Sequence, residues 1–222
     1  MHTRTKLIGV LAGFLVACLA IAGILLSIAS GHRREAQAFL DDFTALKLGE
    51  SSFSDAQRLA RQFRGIPWYV ASDDMSCTPL RCSFAFKFEN TPLSYVPFVH
   101  HTELFVVISV KDGLIVGRQL EYERNTRRDY YFRYLVFDTA QPSTEHGWSP
   151  GTLRLKVDPR GIPHVLQVNL GPLSTAVERK AAYALDLSCL ARLHGCGIPP
   201  AFYPPGIPYL ASRSGRNREP RG

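Results

Sequence analysis

Residues 7–29 hold no charged side chain and one hydroxyl, Ser27. As a helix, 23 residues rise roughly 34 Å, enough to cross a hydrocarbon core of about 30 Å. A helix satisfies its own backbone groups, so lipid can surround it. The segment therefore predicts a membrane helix at the N-terminus. Whatever follows must fold in water at the end of a tether.

Two other readings compete. A cleaved signal peptide fits the basic start, Arg4 and Lys6, and small residues at Ser27-Ile28-Ala29. The apolar stretch is longer than the roughly 7–15 residues of such signals. Leu15-Val16-Ala17-Cys18 resembles a lipobox. Acylation of Cys18 would leave Leu19–Ala29 as a greasy segment directly after the lipid. An uncleaved signal-anchor is the expectation, with residues 1–6 as a short cytoplasmic N-terminus.

Charge alone does not orient the span. Arg4 and Lys6 precede it, and Arg33 and Arg34 follow it, so the positive-inside count nearly ties. The cysteines beyond the span decide. Cys77 and Cys82 are five positions apart, and Cys189 and Cys196 seven. Four cysteines allow three connectivities. Local pairs place both bridges across turns that can reach disulfide geometry. Disulfides persist in oxidising compartments, which puts the C-terminal domain outside the cytoplasm. Free thiols are one alternative. A zinc site with His194 is another, but its spacing lacks paired short knuckles.

The net charge of +7 suggests nucleic acid at first sight. Its distribution argues against that partner. Residues 36–212 carry 18 Lys/Arg against 17 Asp/Glu, and the excess lies beside the span and in the tail at Arg213, Arg216, Arg218 and Arg221. A nucleic-acid module concentrates charge on its folded face. Basic residues beside a span serve as topology signals or meet anionic headgroups.

Ala36, Phe39, Phe43 and Leu46 recur at helical spacing, and Gly49 ends that helix. Ser52-Phe-Ser-Asp55 is a capping-box pattern for a second helix with Ala56, Leu59, Ala60 and Phe63 on one face. Gly65 and Pro67 stop it. Ser83–Glu89 alternates as a half-buried strand. Glu103–Val110 and Leu114–Glu123 flank Asp112-Gly113 as a hairpin. Asp129–Asp138 reads as a central strand. Thr152–Val157 and His164–Asn169 read as a second hairpin. Glu178–His194 reads as a helix. The expected class is α+β: the membrane helix, two short helices, about six strands in a mainly antiparallel sheet, and a C-terminal helix. The outer domain covers residues 36–197. Residues 198–222 form a proline-rich arm and a disordered basic tail. Five prolines in 198–210 exclude a helix or inner strand there. Pro205-Gly-Ile-Pro208 also matches a PxxP ligand by spacing.

The chain has no Gly-x-Ser-x-Gly elbow, P-loop or His-Glu-x-x-His motif. His100-His101-Thr102-Glu103 is the most catalytic-looking cluster. On a strand, His101 and Glu103 share a face, and with His146, His164 or His194 they can bind a divalent metal. The plain alternative is a polar entry into the strand. Glu121 and Glu123 share another face. They read as an acid–base pair, or as solvated residues facing Arg124, Arg127 or Arg128. Asp73 and Asp74 sit in a loop and are expected to face water. No catalytic residue, cofactor or metal ligand is assigned from the sequence.

The run Leu48-Gly49-Glu-Ser-Ser-Phe-Ser-Asp-Ala, a helix, then Gly65-Ile66-Pro67 resembles small outer-membrane lipoproteins of the barrel-assembly accessory type. Val106–Val116 around Asp112-Gly113 is also similar to that family's hairpins. The resemblance implies a protein-binding or scaffolding role without an active site. It covers about a third of the chain. The Gly49-to-Gly65 spacing, the second hairpin, the last helix and the cysteines depart from it. The expected protein is thus a single-pass envelope protein whose outer domain holds a protein partner, with no nucleic acid. The alternative is a membrane-tethered hydrolase or metal-dependent enzyme using His101, Glu103 and another histidine.

Overall fold

A computed structural model describes residues 2–68, 77–90, 93, 101–125, 131–140, 153–157 and 163–191. Helix α1 runs unbroken over His2–Ala45. Its apolar segment is exposed and is long and apolar enough to cross a membrane. The boundary between the span and the first domain helix is therefore not a break in secondary structure. Gly31, which costs about 1 kcal/mol in a helix, is the one weak point between two strongly helical stretches.

Beyond the span the same helix enters the core. Ala36, Phe39, Leu40 and Phe43 are buried. The Phe39 ring lies 4.6 Å from Phe86, 5.0 Å from Phe88 and 5.4 Å from Phe63 between centroids. Helix α2, Phe53–Gln62, starts at the expected capping box, with Ser52 and Asp55 bonding reciprocally. Arg64, not Gly65, adopts the positive φ of 56° after this helix. Gly65 is required for another reason: a Cβ there would lie 2.4 Å from the Phe86 ring.

The sheet has seven strands in the order β1-β2-β3-β4-β5-β7-β6. They are β1 Ile66–Pro67, β2 Arg81–Glu89, β3 His101–Lys111, β4 Leu114–Asn125, β5 Tyr131–Thr139, β6 Leu153–Val157 and β7 Pro163–Leu170. All pairs are antiparallel except β5 with β7. With β1 only two residues long, six strands carry the sheet, and the α+β class is as expected. Asp112 and Gly113, at φ 52° and 80°, turn β3 into β4, the conformation a type I′ hairpin needs. Phe84, Phe86, Leu104, Ile108, Leu120, Tyr122, Tyr134 and Val136 form the inner face under α1 and α2.

The C-terminal helix differs from the expected 178–194. Helix α3 covers Ala176–Tyr183, opened by a Thr175–Glu178 capping box. A 3-10 helix follows at Leu187–Ala191. The break lets Leu185, Leu187, Cys189 and Leu190 all bury, which one straight helix face does not allow. Asp186 accepts from the Ser188 backbone and hydroxyl at 2.8 Å each. Ala191, which ends this 3-10 helix, packs with Leu25 against the small cluster of Ala29 and Leu93. The domain thus touches α1 down to the last turns of its apolar segment.

Cys77 and Cys82 form a disulfide. Cys189 is also disulfide-bonded; Cys196 lies outside the described residues, as do Asp73, Asp74, His100, Arg127, Arg128, His146, His194 and residues 198–222. Cys18 is a free, exposed thiol on the apolar part of α1.

Candidate functional site

Two polar clusters stand out, one on each side of the sheet. The outer one is built by strand register. Glu89 pairs with Glu103 across β2 and β3, and Glu103 with Glu123 across β3 and β4. Three glutamates thus occupy one row of neighbouring strands, an arrangement that is destabilising unless cations intervene. His101 sits two residues from Glu103 on the same face, as the alternation predicts. Its Nε2 lies 3.3 Å from Glu103 Oε2 and 3.8 Å from Glu89 Oε2. Lys87 Nζ reaches the same two oxygens at 3.2 and 3.0 Å. The hydrogen bond to Glu89 is the main reason why the Lys87 ammonium is held above its ordinary value, and Glu103 adds to it against the effect of burial.

The pattern His101-Thr-Glu103 leaves a third ligand to be found, with His146, His164 and His194 as the sequence candidates. The structure supplies Glu89, which with His101 and Glu103 forms a trio with ligand atoms within 4.8 Å of one another. The side chain of His164 lies outside the described residues. Glu89 was missed because its place beside Glu103 follows from β2–β3 register, which no local pattern reveals.

Of the expected partners of Glu121 and Glu123, Arg127 and Arg128 lie outside the described residues, and Arg124 does not share their face. Arg133 on β5 pairs with both, through Nε at 2.7 Å to Glu121 and Nη2 at 3.0 Å to Glu123. Arg124 follows Glu123 in β4, so its side chain points to the opposite face, where it is buried. Burial is the largest influence on the Glu121 carboxyl and raises it. Arg133 pulls it down, and Glu123 and Glu103 push it up again.

The inner cluster joins four elements: the end of α1, β4, β5 and α3. Arg118 on β4 donates through Nη1 to the carbonyls of Phe43 at 3.2 Å and Leu46 at 2.8 Å, at the end of α1, where the Phe43 carbonyl also accepts from the Leu46 N–H at 3.3 Å. Its Nη2 donates to Asp138 on β5 at 2.6 Å. Arg179 on α3 donates through Nε to both Asp138 oxygens and through Nη2 to Gly171 O. The Arg118 guanidinium also faces the rings of Phe43 and Tyr183, at 5.4 and 5.1 Å from their centroids. A groove of about 860 Å³ opens above this cluster, between the end of α1, the following loop and α3. Leu40, Leu46, Leu48, Arg118, Arg179 and Tyr183 are among its walls.

Comparison with known proteins finds no matching family model, no matching characterised protein and no matching solved structure. Function is therefore argued from these two clusters, the groove and α1 alone.

Proposed function

We propose that this chain is a single-pass, signal-anchored envelope protein with a cytoplasmic N-terminus, whose outer domain binds or scaffolds a protein partner at the membrane surface. One observation carries the reading: the helix that is apolar enough to span a membrane is the same helix that centres the domain core. Ala29, at the end of the apolar segment, already forms a buried cluster with Leu93, against which Leu25 and Ala191 pack. This packing supports retention of the segment, because a cut at Ala29 would strip a packed turn from the domain. A domain clamped to its tether stands at a fixed height and tilt, which serves partner positioning. The groove beside α1, with Leu40, Leu46 and Leu48 near Arg118 and Arg179, offers apolar and charged contacts to a partner segment. The resemblance to barrel-assembly accessory lipoproteins leans the same way.

The test is a photo-crosslinking amino acid placed at Ala184 or Lys180, two groove residues, in the full-length protein in cells. A discrete adduct that disappears when a flexible insert is placed after Gly31 supports the reading. A folded, abundant protein that gives no adduct at either site, while the insert leaves the deletion phenotype fully rescued, refutes it.

A further inference from the structure

We infer that Glu89, His101 and Glu103 form a binding site for a divalent transition-metal ion of the zinc type. Three observations carry it, and none depends on the partner-binding reading.

The first is donor chemistry. One imidazole nitrogen and two carboxylates are ligands that zinc accepts. The second is spacing. Ligands about 2.1 Å from a tetrahedral ion stand roughly 3.4 Å apart. The imidazole lies 3.3 and 3.8 Å from the two carboxylate oxygens. All three ligand atoms lie within 4.8 Å of one another, so side-chain rotation can draw them around one ion. The third is the scaffold. Glu89 and Glu103 are direct cross-strand neighbours, and His101 is two residues from Glu103 on one strand, so sheet register fixes the three positions. The side chains are 26–36% exposed, which admits the ion and leaves the fourth position to water.

Lys87 is the competing cation. Its ammonium bridges the two carboxylates that the ion requires. Two cations cannot share those oxygens without strong repulsion. Binding therefore displaces Lys87 towards solvent, where its flexible stem can carry it. The lysine sets the affinity: it holds the carboxylates in place and is exchanged for the ion.

The experiment titrates the purified full-length protein in lipid nanodiscs with Zn²⁺ by calorimetry, and with Co²⁺ by visible absorption, which reports tetrahedral nitrogen and oxygen ligation. One ion per chain is expected. His101→Ala and Glu89→Gln should each weaken binding by at least about tenfold, with circular dichroism unchanged. His32→Ala, a histidine on α1 away from the trio, should leave it unchanged. Lys87→Met should tighten it by about tenfold or more. Absence of binding by the wild-type protein overturns the inference. So does binding that His101→Ala leaves intact, or that Lys87→Met fails to strengthen.

Discussion

Arg118 and Asp138, on adjacent strands, meet at 2.6 Å with side chains only 3% and 0% exposed. The pair joins the end of α1 to the sheet, because the same guanidinium holds the carbonyls of Phe43 and Leu46. Such a pair gains little over apolar packing, but breaking it leaves a charge stranded. Asp138→Asn should therefore destabilise the domain by about 3–5 kcal/mol, measured by denaturant unfolding in detergent. A loss below about 1 kcal/mol would show that water reaches the cluster.

Much of the sheet was legible because its inner face alternates. Phe84, Phe86 and Phe88 announce a strand, and Asp112-Gly113 announces a hairpin. The Ser52–Asp55 capping box was legible because all its partners lie within four residues. Thr175 and Glu178 carry the same signal, yet the run of leucines up to Leu193 suggested a longer helix starting later. The Arg118–Asp138–Arg179 cluster was not legible, since its members are 20 and 41 residues apart. Two of the three residues of the outer trio were visible, because His101 and Glu103 sit two apart. Glu89 required knowledge of register.

Tyr134 and Tyr183 should make the domain sensitive to alkali. The Tyr134 hydroxyl donates to the Ala182 carbonyl at 2.7 Å, and burial raises it well above the usual tyrosine value. Burial also raises Tyr183, with Arg118 opposing and Asp138 adding. Both stay protonated in the folded state after unfolded tyrosines ionise near pH 10. The folded state then binds more protons, so stability falls as pH rises above about 10. Tyr183→Phe, whose hydroxyl makes no hydrogen bond of standard geometry, should flatten that slope at little cost at neutral pH. An unchanged slope in pH-dependent unfolding would contradict this.

Gly65→Ala tests a close approach. The added Cβ would sit 2.4 Å from the Phe86 ring. That ring cannot retreat easily, because it packs on Phe39 and is 1% exposed. Overpacking of this kind costs about 1–3 kcal/mol. Combining it with Phe86→Leu should recover part of the loss, and strictly additive costs in a double-mutant cycle would argue against the contact.

The last prediction joins topology to the cysteines. Cys77–Cys82 closes a short loop at the start of β2, and Cys189 is disulfide-bonded within the 3-10 helix Leu187–Ala191. Non-reducing peptide mapping should recover Cys77 with Cys82 and Cys189 with Cys196. Short loops restrict the unfolded chain weakly, so each bridge should contribute about 2 kcal/mol or less. Such bridges last only in an oxidising compartment. A reporter fused after Gly222 and active only outside the cytoplasm should therefore be active. The near-tied charges around α1 give no strong opposing signal, so the cysteines and the reporter must agree. Cytoplasmic reporter activity together with reduced cysteines would reverse the proposed orientation. It would also move the outer trio, and any zinc it binds, to the cytoplasmic face.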